Sequence, residues 1–191
     1  MGWNKFYVFI KGAGLDELPA VLTQLGMGNY ILAQEVTLLE TNQPDTLYAG
    51  VYNNSLLLVH PELPFRFMEA GETWPGDELA AVVENAAAGV YGYTVIKGGR
   101  RLRTKYGSEE RVMFEMGELL LEEQQLYDEE LFEEDELEEM REDGLSDREI
   151  GEMVRYETDC RVPGRLVKRY LGVTFNELDP ALVKLGRYRL V

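Results

Sequence analysis

Residues 91–106 read YGYTVIKGGRRLRTKY. Two runs rich in aromatic and β-branched residues flank Gly98-Gly99, and a two-residue glycine turn joins antiparallel strands with the twist that a hairpin needs. Because side chains alternate across a strand, such a turn also sets the register. It pairs Val95 with Leu102, Tyr93 with Thr104 and Tyr91 with Tyr106 on one face. The other face then carries Ile96 with Arg101, Thr94 with Arg103 and Gly92 with Lys105, which puts three cations in a row. A third strand over about 111–116 extends the hairpin into a meander.

A second hairpin lies upstream. Tyr48–Tyr52 and Ser55–Val59 flank Asn53-Asn54, and Asn tolerates the positive φ of a type I′ turn. The turn sets Val51 opposite Leu56, Ala49 opposite Leu58 and Gly50 opposite Leu57. Both faces are apolar, so this hairpin belongs in the covered centre of a sheet; Pro61 and Pro64 end it. Trp3–Ile10 reads as a strand that Gly12-Ala13-Gly14 breaks. Leu15, Leu18, Leu22 and Leu25 follow at helical spacing, with Pro19 in the first turn. Tyr30–Glu40 is a weaker strand. Pro75-Gly76-Asp77 opens a helix through about Ala88, and Gly89 stops it.

The composition changes after Gly117. Residues 119–140 are rich in the helix formers Glu and Leu, yet Leu126, Leu131, Phe132, Leu137 and Met140 keep no steady apolar stripe. Ser146-Asp147-Arg148-Glu149 is a capping box that starts a helix to about Tyr156. Pro163 opens another, ending near Gly172. A last turn within 176–185 and an edge strand over Tyr188–Val191 complete the chain. The expected fold class is α+β: a mostly antiparallel sheet of two β-hairpins plus the N-terminal strand, covered by helices near 15–25 and 77–88. Residues 1–118 form its sheet core. Residues 119–191 are an acidic helical segment and C-terminal helices packing on that core as one compact domain. The glycine-turned meander and the GELLLEE exit at 117–123 resemble a bacterial domain, and no signature ties them to a named family.

Charge is strongly segregated. The net charge is −16, and thirteen of the twenty-two residues from Glu122 to Asp143 are acidic, opposed by Arg141 alone. Residues 97–113 carry +4 and residues 161–191 carry +5, so two basic islands flank the acidic block. Such a balance argues against nucleic acid as a partner, because phosphate neutralisation needs a cationic surface. A single cysteine, Cys160, excludes an intrachain disulfide and suits a reducing cytoplasm. No run approaches the eighteen apolar residues of a membrane span, and Lys11 closes the apolar run 6–10 before it could serve as a signal-peptide core.

Motif arithmetic removes whole reaction classes. His60 is the only histidine, so multi-histidine zinc sites and HExxH are excluded, and no Gly-x-Ser-x-Gly elbow supplies a nucleophile for a triad. Gly12-Ala13-Gly14 lies where a dinucleotide loop would, but Glu17 replaces the third glycine and would repel a pyrophosphate. A calcium loop starting at Glu139 fails at Arg141 and Ile150. Neither a catalytic set, a metal site nor a cofactor site is assigned.

The acidic run has three readings: a solvated spacer, internal neutralisation by Arg101, Arg103 and Lys105 or by Arg165, Lys168 and Arg169, and a docking face. The expectation drawn is a non-catalytic, inhibitor-like or immunity-like binding protein that presents acid to a basic macromolecule. Its candidate contacts are Glu129, Glu130, Glu133, Glu134, Glu138, Glu139 and Phe132. Arg101, Arg103 and Lys105 are a secondary, anion-binding candidate. The alternative is a small enzyme or ligand-binding domain with a pocket of dispersed Tyr, Arg and carboxylate residues, drawing on His60, Glu62 and Tyr91. Head-to-tail self-association of the acidic and basic islands is a third.

Overall fold

Nine strands form one sheet in the computed structural model, which describes residues 4–41, 43, 46–69, 71–129, 131–174 and 177–191. Trp3, Glu130 and Asn176 lie outside the described residues. The strands are β1 Asn4–Lys11, β2 Tyr30–Thr37, β3 Leu47–Tyr52, β4 Ser55–Val59, β5 Glu78–Asn85, β6 Val90–Lys97, β7 Arg100–Ser108, β8 Val112–Gly117 and β9 Lys184–Leu190. Their order across the sheet is β2-β9-β3-β4-β1-β5-β6-β7-β8, with antiparallel pairing throughout. With its covering helices this is an α+β fold.

Helices cover both faces. A 3₁₀ turn at Leu15–Glu17 leads into α1, Leu18–Gln24, and α2 spans Leu63–Glu69. These pack on Val8, Ile10, Leu56, Leu58, Leu79, Ala81 and Ile96. The opposite face carries α3, Leu121–Asp128, and the 25-residue α5, Asp147–Leu171, over Tyr7, Phe9, Leu57, Val82, Tyr93 and Val95. Helix α4, Glu134–Glu142, packs against α5 and buries no side chain. No helix among the described residues is long and apolar enough to cross a membrane.

The Asn53-Asn54 hairpin keeps its expected register, Val51 against Leu56 and Ala49 against Leu58, with φ of 45° and 58° at the two asparagines. The expected helix at 77–88 is instead strand β5. It lies between β1 and β6 and is buried on both sides, with Ala80 and Val82 facing one core and Leu79, Ala81 and Val83 the other. A strand without a polar face shows no period of two, and its alanines favour a helix until the neighbouring strands claim them. Pro64 does more than end a strand, since it lies in the first turn of α2.

Three expectations for the C-terminal region change as well. The helix over 119–140 is two, α3 and α4, separated by extended backbone that begins at Glu129. Leu126 anchors the first in the core, and no apolar side chain anchors the second. The Ser146 capping box starts α5 as expected, but the helix continues through Pro163 to a left-handed Gly172. Pro163 is buried with Val162 and Leu166, and packing on the sheet outweighs the missing backbone bond. The final strand is longer than Tyr188–Val191 and lies inside the sheet, between β2 and β3.

The Gly98-Gly99 hairpin departs from its expected register at one residue. Ile96 pairs with Arg101 as the turn dictates, but Val95 pairs with Arg103, Thr94 with Thr104 and Tyr93 with Lys105. Leu102 is the extra residue of a β-bulge, and a one-residue slip moves every later side chain to the other face. Arg103 and Lys105 therefore face α3 and α5, while Arg101 faces α2. Gly117 closes onto this bulge at φ +88°, where a Cβ would fall 2.0 Å from the Leu102 carbonyl oxygen. Gly117→Ala should lower stability by about 2–3 kcal/mol, read from the urea midpoint. A loss under about 0.5 kcal/mol would mean that the strand end yields freely.

Candidate functional site

The bulge delivers two cations into the interior beneath α3 and α5, and carboxylates of α3, α5 and β8 supply their partners. Arg103 is 2% exposed and its Glu123 partner 0%. The guanidinium donates to Glu123 from Nε at 3.0 Å and from Nη2 at 2.7 Å, and Nη2 also donates to Glu115 at 2.7 Å. Glu123 sits at the third position of α3, where it accepts from the Leu120 N–H at 2.9 Å and so caps the helix. The Tyr93 hydroxyl donates to it at 2.7 Å.

A second pair lies alongside. Lys105 Nζ donates to Asp159 at 2.6 Å, and both side chains are fully buried. Asp159 also accepts from the Tyr127 hydroxyl at 2.7 Å and from Tyr91 at 3.0 Å. Buried charges of this kind persist only when paired and hydrogen-bonded. Arg155 joins the two pairs at the rim, 2.8 Å from Glu115 and 3.9 Å from Asp159. Partial burial alone would raise the Glu115 pKa, but Arg103, Lys105 and Arg155 together hold it below the usual carboxylate range.

The acidic run thus divides at residue 130. In its first part three carboxylates are neutralised within the fold, by Arg103 at Glu123, by Arg169 at Glu122 (2.6 Å) and by Arg165 at Glu129 (2.7 Å). Its second part is not so neutralised. Residues 133–143 carry eight acidic side chains and Arg141, and all nine of these residues are exposed. Arg141 holds Glu134 at 3.2 Å and Asp147 at 3.1 Å. The Glu133 N–H donates to Glu136 at 2.8 Å, and Glu134, Asp135 and Glu136 occupy the first turn, where the helix dipole favours them.

Among the candidate contacts, Glu133, Glu134, Glu138 and Glu139 come together on α4, with half-buried Phe132 just before it. Glu129 belongs to the neutralised part. The three cations of the anion-binding candidate are separated. Arg101 donates to the carbonyls of Met68 and Glu72 at 3.4 and 3.1 Å on the α2 side, and neither Arg103 nor Lys105 presents charge to solvent. Tyr91 joins the buried network, whereas His60 and Glu62 lie at the end of β4, where the Glu62 N–H donates to His60 Nδ1 at 3.2 Å. In the glycine loop the Gly14 N–H donates to Glu17 at 2.9 Å, so the carboxylate occupies the place of an anion.

Sequence reasoning missed Glu123, Asp159, Tyr93 and Tyr127. Spacing carries no trace of them, apart from Glu123 lying three residues after Leu120 at a helix start. A cleft of about 390 Å³ opens beside the network, between α5 and the ends of β1 and β5. Lys5 and Glu84, register partners on β1 and β5, pair in its wall at 2.6 Å, and Arg165 pairs with Glu129. Burial pushes the Cys160 thiol in its wall up to about 11, which leaves it protonated and unreactive at neutral pH. Among the described residues no three His, Cys, Asp or Glu side chains converge on a metal position. No protein family, curated protein or solved structure matches the chain.

Proposed function

We propose that the chain is a non-catalytic, cytoplasmic binding protein that offers the acidic helix α4 to a basic macromolecule, as an inhibitor or immunity-type partner of a cationic effector would. One observation carries this reading. The fold supplies arginines to Glu122, Glu123 and Glu129 and leaves the acid of 133–143 opposed by Arg141 alone. Like charges spaced along one helix repel and cost stability. A concentrated field of one sign steers an oppositely charged partner and rejects wrong ones.

The test replaces Glu133, Glu134, Glu138 and Glu139 together by Gln and follows retention of basic proteins from host lysate across a salt series. Retention should be salt-sensitive for the natural chain and at least about tenfold weaker for the variant. Equal retention with an unchanged salt dependence would sink the proposal. The alternative, a small enzyme or ligand-binding domain, has the 390 Å³ cleft on its side, a volume within the usual range for ligand sites. Four of its five wall charges, Lys5 with Glu84 and Arg165 with Glu129, are already paired, which favours the acidic face.

A further inference from the structure

Five charged side chains line the cleft between α5 and the ends of β1 and β5: Lys5, Glu84, Glu129, Arg161 and Arg165. Lys5 holds Glu84 at 2.6 Å, and Arg165 holds Glu129 through two bonds of 2.7 and 2.9 Å. Both carboxylates are therefore engaged, while Arg161 makes no ion pair among the described residues. Three cations against two carboxylates leave the cleft with one positive charge, in a chain whose net charge is −16. Arg161 also stands one turn of helix before Arg165, a spacing at which like charges repel. A concave wall with an excess of one sign concentrates small ions of the other.

The same stretch of α5 keeps room beside that charge. Gly164 lies in the interior of the 25-residue helix and in the wall of the cleft. Glycine is the poorest helix former apart from proline, and nothing in the local geometry asks for it. Its backbone lies outside the left-handed region, and a Cβ would meet nothing within 4 Å beyond its own turn of helix. A longer side chain at this position would project into the cleft. Leu126, which is 1% exposed, and half-buried Cys160 supply an apolar part of the wall. One unanswered guanidinium beside an open apolar recess is the kind of arrangement that orients a small ligand.

We infer that this cleft is a binding site for a small organic carboxylate, whose anionic head pairs with Arg161 and whose apolar body lies over Gly164 against Leu126. A guanidinium offers two parallel N–H donors that match the two oxygens of a carboxylate. Arg165 can share the head, since its pair with Glu129 is half-exposed and so weakly held. One negative charge balances the single excess positive charge of the wall. A phosphate monoester, close to doubly charged at neutral pH, would exceed it beside Glu84 and Glu129. None of the lining residues belongs to α4, so the inference is independent of the acidic-face reading.

The probes are hexanoate, benzoate, 3-phenylpropanoate and indole-3-acetate, each beside its primary amide, which keeps the body and removes the charge. Titrated into the isotope-labelled full chain, at least one acid should bind with a Kd below about 1 mM and at least about tenfold more tightly than its amide. The shifted resonances should centre on Cys160, Arg161, Gly164 and Thr174, all in the cleft wall. Arg161→Gln should erase the preference for acid over amide, and Gly164→Leu should remove binding of both. Arg161 is exposed and leucine is the better helix former, so thermal melts of both variants should match or exceed that of the natural chain. The inference is overturned if no acid binds by about 1 mM, or if amides bind as tightly as acids. It is equally overturned if Arg161→Gln keeps the preference, or if folded Gly164→Leu binds as before. Phenyl phosphate binding about tenfold more tightly than benzoate would overturn the assignment to carboxylates.

Discussion

Asp159→Ala should destabilise the fold by about 3–5 kcal/mol, the cost of leaving a buried charge without its partner. Lys105 is fully buried, and Asp159 is its 2.6 Å acceptor. The substitution also removes the acceptor of the Tyr91 and Tyr127 hydroxyls. The rim carboxylate Glu115 stands 3.9 Å from Lys105 and is already engaged by Arg103 and Arg155, so it offers poor replacement. A domain of this size is stable by only about 5–15 kcal/mol, so the single variant approaches the threshold of folding.

The companion variant separates the charge from the cavity. Lys105→Met with Asp159→Leu removes both charges and fills most of the space, and it should recover most of the loss, because apolar replacements of buried pairs are commonly tolerated. Urea denaturation of both singles and the double gives the coupling directly. If Asp159→Ala costs under about 1 kcal/mol, solvent reaches Lys105 in the native state and the network is not the interior pair described above.

The network also explains where sequence reasoning succeeded and where it stopped. The Asn53-Asn54 hairpin was legible because its turn and both flanking runs are local. The cap at Ser146 was legible for the same reason, since its side chain accepts from the Glu149 N–H within one turn. Strand β5 was not, because its identity comes from β1 and β6 on either side rather than from its own alternation. The bulge at Leu102 is likewise set from outside, by the close approach of Gly117. Its consequence is disproportionate, since one extra residue turns Arg103 and Lys105 from a row beside Arg101 into the buried partners of Glu123 and Asp159. Composition showed that acid and base are segregated. Only the fold shows that α3 is answered by arginines of other elements, whereas α4 has only its own Arg141.

Alkali should unfold the protein cooperatively between about pH 11 and 13. Tyr7, Tyr91, Tyr93 and Tyr170 are all at most 3% exposed, and each holds its proton far above the ordinary value. Burial is the largest cause in every case, followed by the carboxylates of Glu84, Asp159, Glu123 and Glu78 respectively. In the unfolded chain the same phenols titrate near pH 10. Above that pH the unfolded state binds fewer protons than the native state, so stability falls as pH rises. Below it both states keep the protons, and the effect vanishes. Each tyrosine contributes about 1.4 kcal/mol per pH unit, so the four together contribute between five and six, enough to exhaust about 5–15 kcal/mol within one to three units. Circular dichroism and tyrosinate absorbance should therefore change together in one steep transition. Tyr93→Phe removes one of the four protons and should make the decline shallower by about 1.4 kcal/mol per unit. Ionisation of these four near pH 10 with the fold intact, seen as a tyrosinate signal near pH 10 that Tyr93→Phe diminishes, would instead place their hydroxyls in contact with water.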